Sequence, residues 1–164
     1  TVSEKQDRVL RALETAGISY TLTEHPAVHT IEEMDVLPLP YPEAVLKNLF
    51  LQDAGEERFF LVSLPKDRRA DWKALRTYAG SRLSFAGEER LAALLGLERG
   101  SVTPFGALND TESRVEVLWD TDIREMPLVG VHPCENTATV FLPPGDLARL
   151  LNACGHPVRW VVPS

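Results

Sequence analysis

The chain has 164 residues, of which 44% are hydrophobic, so it is long enough to bury a sizeable core. Charged residues make up 25% of it, and no apolar stretch approaches the roughly 20 residues of a bilayer span, which excludes a transmembrane protein. The formal net charge of −7 argues against a protein that coats nucleic acid through bulk charge. We expect a single domain over residues 1–164.

Cysteine content and the first residues bear on location. Two cysteines, Cys134 and Cys154, are too few for a disulfide framework or a Cys/His zinc site. Residues 1–8 are charged from the fourth residue onward and lack the apolar core of a secretion signal. These features predict a cytoplasmic protein with no membrane partner.

The chain opens with a predicted helix and a short strand. A capping-box pattern begins at Ser3, ahead of Val9 and Leu13 on one helical face, and Gly17 is placed to end the helix. A strand over residues 18–23 follows.

A second capping box and a hairpin come next. Thr30 and Glu33 predict the start of a short helix, which cannot continue past Pro38. Residues 44–52 and 58–64 are apolar runs separated by a short polar turn, which predicts a β-hairpin.

The rest of the chain mixes helices and strands. A helix over residues 67–78, ending at Gly80, would carry Trp72 and Leu75 on one side and basic residues on the other. The other predicted elements are helices over 88–95 and 145–154 and strands over 115–119, 128–131, 138–142 and 158–162. This order is neither a regular βαβ alternation nor all-β. It predicts a mixed α+β (α/β) fold, a twisted barrel-like mixed sheet with surrounding helices.

Lys47 and Asn48 stand in the middle of an otherwise apolar predicted strand. Such groups are costly to bury without partners, so two interpretations remain open. Lys47 either faces solvent on an edge strand or lies in a cleft, where its charge would meet a phosphate or carboxylate.

The histidines do not form a metal site. His25 and His29 are four residues apart, but Pro26 interrupts the helix that would bring them together. No nucleotide-binding glycine loop occurs either, so we expect no metal and no other cofactor. His132 is the favoured functional histidine, because it follows a turn of small residues and precedes a strand with Asn136.

Three segments form an ordered set: KNLFL at 47–51, GSVTPFG at 100–106 with Asn-Asp at 109–110, and HPCENTAT at 132–139. On this set the chain resembles the YbaK/prolyl-tRNA synthetase-associated superfamily of trans-editing deacylases, most closely its PrdX or ProXp-ala branch. The resemblance covers nearly the whole chain. It departs at Cys134, where relatives more often carry a larger aliphatic residue.

The resemblance implies an enzyme that hydrolyses alanine wrongly attached to proline tRNA. The implied catalytic residues are Lys47, Asn48, Gly100, Ser101 and His132. The candidate substrate-binding residues are Val28, His29, Thr30, Met34, Val102, Thr103, Pro104 and Asn136. An aminoacyl ester is already activated, so positioning and oxyanion stabilisation suffice. Family analogy makes the 2′-hydroxyl of the terminal adenosine a participant, and no side-chain general base is assigned.

The implied partners are the acceptor end of mischarged tRNA(Pro) and, secondarily, prolyl-tRNA synthetase. Between residues 66 and 82 six basic and two acidic residues give a local charge of +4. Four of them are candidate tRNA contacts: Lys66, Arg69, Lys73 and Arg76. A solvated helix face and a tRNA-binding face are equally open interpretations of this segment.

Two other functions share the fold. A Cys-tRNA(Pro) deacylase of the YbaK type would use the thiol of its substrate. A non-catalytic module would bind aminoacyl-tRNA or a synthetase without hydrolysis, and would not need to retain Lys47 or the loop over residues 100–104, called the glycine loop below.

Overall fold

The computed structural model describes residues 4–161. Its helices are α1 (Glu4–Thr15), α2 (Ile31–Asp35), α3 (Trp72–Ala79), α4 (Glu88–Leu95) and α5 (Pro144–Ala153). Its strands are β1 (Thr21–Glu24), β2 (Leu46–Asp53), β3 (Phe59–Pro65), β4 (Leu83–Phe85), β5 (Val115–Asp120), β6 (Val129–Val131), β7 (Ala138–Leu142) and β8 (Val158–Val161). Short 3₁₀ turns occupy Pro42–Ala44, Pro104–Asn109 and Thr121–Glu125.

The first helix buries the apolar face that the sequence predicts. Val9 and Leu13 of α1 are buried, and Gly17 has a φ of +71°, a left-handed conformation that suits glycine after a helix. These predictions are confirmed. The predicted capping residue Ser3 lies outside the described residues.

The larger sheet has five strands in the order β4-β2-β3-β5-β8. Strands β2 and β3 form the predicted antiparallel hairpin. Its turn is held by Asp53, whose Oδ1 accepts hydrogen bonds from the backbone N–H groups of Glu57 (2.9 Å) and Arg58 (3.1 Å). Strand β5 pairs in parallel with both β3 and β8, so the sheet is mixed.

A smaller antiparallel sheet has the order β1-β7-β6. A single parallel bridge from Val45 to Gly130 joins the start of β2 to this sheet. The mixed α+β class is therefore confirmed, but the described strands form two twisted sheets rather than one closed barrel.

The main core lies between the two sheets and three helices. It includes Phe50 and Phe59 from the larger sheet, Val140 from the smaller one, and leucines of α1, α4 and α5. Fully burying each such apolar side chain contributes about 1.5–3 kcal/mol. A second core lies on the other face of the larger sheet, where Leu75 of α3 packs near Phe60.

The basic segment folds differently from the prediction. Helix α3 begins at Trp72, because Asp71 rather than Asp67 caps it and accepts a hydrogen bond from the N–H of Ala74 at 2.9 Å. Leu75 is buried as predicted, whereas Trp72 is 42% exposed. The predicted stop at Gly80 is confirmed.

The Asn109-Asp110 pair has a structural role. Asn109 Nδ2 donates to the carbonyl of Leu95 at 2.8 Å, which ties the Pro104–Asn109 turn to the end of α4. Asp110 is buried and accepts from His156 Nε2 at 2.9 Å and from the N–H of Val115 at 2.8 Å. These bonds fix the segment that follows the glycine loop.

Among residues 4–161, no helix is both long and apolar enough to cross a membrane.

Candidate active site

A cleft of about 200 Å³ opens where the two sheets meet. Its walls come from the segment before and within α2, the start of β2, the glycine loop, strand β6 and strand β7. The lining residues are Val28, His29, Thr30, Ile31, Met34, Val45, Leu46, Lys47, Asn48, Gly100, Val102, Gly130, Val131, His132 and Thr139. Segments that are distant in the sequence thus share one cleft.

Most of the predicted site residues lie in this lining. Those brought together are Lys47, Asn48, Gly100, His132, Val28, His29, Thr30, Met34 and Val102. Four predicted residues do not line the cleft: Ser101, Thr103, Pro104 and Asn136. Cys134 is also outside it, in a separate cavity beside α1, so its side-chain volume does not set the size of the cleft.

Asn48 is oriented by a neighbouring strand. It lies opposite Ser63 in the β2–β3 register, and the Ser63 hydroxyl donates to Asn48 Oδ1 at 2.6 Å. Ser63 is fully buried, so this hydrogen bond lies in a poorly solvated environment. With Oδ1 occupied, Nδ2 is the end of the amide left to donate to a ligand.

Lys47 and Asn48 reach the cleft from different faces of β2. Successive side chains on a strand point to opposite faces, so Asn48 shares the face of Leu46 and Phe50, which pack in the main core. Lys47 shares the face of Leu49, which packs against the second core. Within residues 4–161, no acidic side chain forms an ion pair with Lys47. The ammonium group is therefore available to a ligand in the cleft.

The glycine loop approaches the α2 segment closely. Gly100 has a φ of +88°, and a Cβ there would lie 2.7 Å from Nδ1 of His29 and 3.4 Å from its Cα. Real Cβ atoms do not show a 2.7 Å contact, so only glycine fits without a shift. The backbone of the loop can therefore face the cleft directly.

The predicted loop residues outside the lining hold its walls. The buried Thr103 hydroxyl donates to the carbonyl of His132 at 2.5 Å. Pro104 begins the 3₁₀ turn that follows, and the N–H of Ser101 donates to the carbonyl of Glu98 at 3.0 Å. Asn136 Nδ2 donates to the carbonyl of Val28 at 2.7 Å. These contacts position the cleft-lining residues rather than enter the cleft.

His132 is held as a neutral acceptor. Its Nδ1 is 2.8 Å from the carbonyl of Ala138, and because a carbonyl only accepts, Nδ1 carries the proton. Burial lowers the pKa of His132 below its ordinary value of 6.5, and the neighbouring His25 lowers it further, against the effect of the Ala138 hydrogen bond. Nε2 of the neutral ring is thus free to accept a hydrogen bond.

Sequence reasoning missed a second polar group in the cleft. Thr139 lies in the lining, and its Oγ1 is 2.8 Å from Nε2 of His25. His25 Nδ1 is 2.9 Å from the carbonyl of Pro26, and because a carbonyl only accepts, Nδ1 carries a proton. Thr139 Oγ1 and His25 Nε2 share a hydrogen bond. Its place in the motif at 132–139 was visible, but only the pairing of β1 with β7 brings it to His25.

The remaining missed residues are apolar or glycine: Ile31, Val45, Leu46, Gly130 and Val131. Gly130 lies against the Phe141 ring, where a Cβ would come within 2.7 Å of Cε1. Such residues carry no chemical signal in a sequence. Their place in the cleft follows from the bridge between Val45 and Gly130.

Some of the basic residues between 66 and 82 form ion pairs with acidic side chains. Lys66 pairs with Asp35 at 2.7 Å, and Arg68 pairs with Asp120 at 3.1 Å and with Asp122. The predicted helix over 67–78 was wrong at its start, so Arg68 and Arg69, like Lys66, precede α3. Lys73 and Arg76 lie on its exposed face, and Arg69 lines a small cavity beside it.

A family model described as "Aminoacyl-tRNA editing domain" matches residues 25–150. The chain belongs to the aminoacyl-tRNA editing domain family.

Individual relatives agree. The chain is 42% identical over 159 residues to the "Prolyl-tRNA editing protein ProX" of Acetoanaerobium sticklandii, covering 96% of this chain and 97% of the relative. It is 35% identical to "Prolyl-tRNA synthetase associated domain-containing protein 1" of Danio rerio, covering 88% of this chain and 79% of the relative. A solved structure titled as a candidate trans-editing enzyme for prolyl-tRNA synthetase matches the fold with a TM-score of 0.75, at 22% identity over 100% of both chains. The predicted family and the predicted class of enzyme, an aminoacyl-tRNA deacylase, are confirmed.

Proposed function

We propose that the protein removes alanine from mischarged tRNA(Pro) in trans. The observation that carries this proposal is the small cleft that brings together Lys47, Asn48, the backbone at Gly100 and neutral His132. The names of the relatives from Acetoanaerobium sticklandii and Danio rerio support proline tRNA as the tRNA concerned. We further propose that residues 1–164 act as one domain.

The cleft supplies positioning and hydrogen bonds. Nδ2 of Asn48 and the backbone N–H groups of Gly100 and Val102, the loop residues that line the cleft, are the donors available to the ester carbonyl, where negative charge develops during attack by water. Nε2 of His132 accepts a hydrogen bond from the substrate's amino group or from the water. Lys47, in the lining of the cleft, holds the terminal phosphate or ribose through its charge. None of these roles requires a side chain to act as nucleophile.

Selection of alanine would be steric. Val28 and Met34 line the cleft and are almost fully buried, so the wall they form cannot move aside without disturbing the core. Adding contact for one methylene changes binding by only about 1–3 kcal/mol, whereas overlap with a rigid wall rejects a bulky ring more strongly. A cleft of about 200 Å³ favours a small aminoacyl group.

The test is a side-by-side deacylation assay with alanyl-, cysteinyl- and prolyl-tRNA(Pro). The proposal expects fast hydrolysis of the alanyl ester and slow hydrolysis of the prolyl ester. Preference for the cysteinyl ester would overturn the choice of alanine. Binding of mischarged tRNA without hydrolysis of any ester would instead define a non-catalytic module.

We also propose how the tRNA is held. Lys73 and Arg76 on α3 have no ion-pair partner within residues 4–161, so their charges are available to phosphates. Arg69 lies next to them and is exposed. Lys66 is already paired with Asp35 and contributes less. Prolyl-tRNA synthetase stays a proposed second partner, consistent with the name of the Danio rerio relative.

A further inference from the structure

His25 lies beside His132 but outside the cleft. The centroids of the two imidazole rings are 5.9 Å apart, and their planes are at 56°. His132 lines the cleft, whereas His25 does not, so His25 is not placed to touch a substrate bound there. An effect of His25 on the reaction therefore has to act through His132 or through the wall of the cleft.

Hydrogen bonds hold His25 at three points. Its backbone N–H donates to the carbonyl of Thr137 at 2.9 Å. Its ring Nδ1 lies 2.9 Å from the carbonyl oxygen of Pro26, and its ring Nε2 lies 2.8 Å from Oγ1 of Thr139. Both ring nitrogens and the backbone are thus engaged, which fixes the position and the orientation of the ring beside His132.

The partners of His25 suit a protonated ring. An imidazolium donates from both of its nitrogens, and a carbonyl oxygen and a hydroxyl oxygen can both accept. Pro26 and Thr139 therefore supply an acceptor for each N–H group of a charged His25. Thr139 is fully buried, so the hydrogen bond to its hydroxyl is shielded from bulk water.

The surroundings of His132 disfavour a protonated ring. Its Nδ1 donates to the carbonyl of Ala138 at 2.8 Å, but within residues 4–161 its Nε2 has no hydrogen-bond partner. Burial lowers the pKa of His132, and the neighbouring His25 lowers it further. A proton that reaches this pair of rings is therefore better accommodated on His25.

Other charged groups near the pair do not alter this picture. The remaining charged or titratable side chains of the segments around it are Glu24, His29, Lys47 and Glu135. Among the described residues, His25 is the one whose charge shifts the pKa of His132. The coupling therefore belongs to the two histidines.

We propose that His25 is a positioning residue for deacylation, which takes up the proton that would otherwise reach His132 and so keeps Nε2 of His132 an acceptor. The inference rests on the proposed function, in which this nitrogen accepts a hydrogen bond from the amino group of the ester or from the attacking water. A protonated His132 would donate at this place and could no longer accept. The pair thus extends the reaction to lower pH than His132 alone would allow.

A nitrogen-15 NMR titration of the imidazole rings tests the order of protonation without any substrate. In the wild type we expect the His25 ring to become doubly protonated at higher pH than the His132 ring, which keeps its single proton on Nδ1. His25→Gln retains an amide donor for Thr139 but has no titratable group, so His132 should titrate at higher pH in this variant. Thr139→Val removes one acceptor of the charged His25 ring, so His25 should titrate at lower pH.

Deacylation of alanyl-tRNA(Pro) over the same pH range supplies the functional readout. His25→Gln should lose more kcat/KM at the acid end of the profile than at about pH 8, by about three-fold or more, because a larger fraction of His132 is then protonated. A merely structural defect would lower kcat/KM by the same factor at every pH. His29→Gln is the matched control, since it removes another imidazole from the cleft lining and should leave the titration of His132 unchanged.

Three results would overturn the inference. They are protonation of His132 before His25 in the wild type, an unchanged titration of His132 in His25→Gln, and a loss of kcat/KM in that variant that does not depend on pH. Thermal midpoints report whether each variant is folded, and His25→Asn supplies the same test if His25→Gln is not. The proposed function is tested separately, because absence of alanyl-tRNA(Pro) hydrolysis by the wild type would refute it whatever the order of protonation.

Discussion

Gly100 and His29 approach each other so closely that a Cβ on Gly100 would lie 2.7 Å from the imidazole Nδ1. The contact joins the glycine loop to the segment that precedes α2, and both line the cleft. It makes the position of the loop dependent on the absence of a side chain.

Gly100→Ala should therefore damage the cleft as well as strain the backbone. The left-handed φ of +88° alone costs about 1–3 kcal/mol for a residue with a Cβ, and the contact with His29 adds to it. We expect a lower thermal midpoint and at least a ten-fold loss of kcat for deacylation.

Gly80→Ala is the matched control for that substitution. Gly80 has a φ of +70°, but nothing lies within 4 Å of the Cβ position. It should lower stability by about 1 kcal/mol and leave kcat unchanged. Equal kcat losses in the two variants would show that activity follows stability and not the shape of the loop.

Lys47→Ala should abolish most deacylation with little effect on stability. The side chain has no ion-pair partner within the described part of the chain, so its removal breaks no internal contact of that kind. The measurements are steady-state hydrolysis of alanyl-tRNA(Pro) and urea unfolding. A variant that hydrolyses the ester at the wild-type rate would place the reaction elsewhere.

Asn48→Ala should differ by affecting stability too. It leaves the fully buried Ser63 hydroxyl without its 2.6 Å partner, a loss of about 1–3 kcal/mol. The double variant Asn48→Ala/Ser63→Ala should be more stable than the sum of the single effects implies, because no orphaned hydroxyl remains. Activity should be reduced in Asn48→Ala and only weakly in Ser63→Ala. Additive unfolding free energies would show that the two groups are not coupled.

His132 predicts a pH dependence of stability. Its pKa is lowered in the folded protein, chiefly by burial, so the unfolded state binds the proton more readily. The neutral His132 ring therefore contributes its full share to the free energy of unfolding above the ordinary pKa of 6.5. This contribution is lost as the pH falls from 6.5 toward the lowered pKa of the folded state. The measurement is the urea midpoint at pH values from about 7.5 to about 5, which span this range. As the pH is lowered, the midpoint should fall less in His132→Gln than in the wild type. Parallel curves would show that His132 does not titrate in this way.

Charge reversal on α3 should weaken tRNA binding. Lys73→Glu with Arg76→Glu should raise the Kd and flatten its dependence on salt, because each lost phosphate contact removes about 0.9 of the slope of log K against log salt. Turnover at saturating substrate should change little. Arg11→Glu with Arg149→Glu makes the same change of charge on α1 and α5 and serves as the control. An unaltered salt slope in the α3 variant would assign tRNA binding to another surface.

The two cysteines should react differently with thiol reagents. Burial raises the pKa of Cys134 to about 12, so almost no thiolate exists there at neutral pH, whereas Cys154 is exposed. Mass spectrometry should find the label on Cys154 alone, with deacylation retained. Labelling of Cys134 together with loss of activity would contradict both the burial and the proposed chemistry.

Local signals in the sequence were sufficient for many elements. Helix α4 was predicted at 88–95 and strand β7 at 138–142, because an apolar run is bounded by glycine or proline in each case. Strand β4 was missed, since its three residues are defined only by pairing with the end of β2. The split into two sheets could not be predicted either, because it depends on pairings across more than half of the chain.

Some residues of the candidate site could likewise be identified from the sequence, and others only from the folded chain. Lys47 and His132 are chemically distinctive where they stand, so the sequence indicated them directly. Thr139 is an ordinary strand residue until β1 pairs with β7 and brings His25 against it. Thr103 and Asn136 lie on segments that the sequence indicated, but their hydrogen bonds to the carbonyls of His132 and Val28 are visible only in the folded chain.

The pairing of β1 with β7 also determines the stage of synthesis at which the nascent chain can become active. Thr21 lies opposite Phe141 in the β1–β7 register. The cleft wall formed by the segment before α2 can therefore be completed only after β7, more than a hundred residues later in the chain, has left the ribosome. The hairpin with Lys47 and Asn48 closes from local sequence and can form early. A nascent chain that has not yet released β7 therefore carries the reactive strand but no finished cleft. Truncated translation products that end before β7 should be unable to deacylate tRNA.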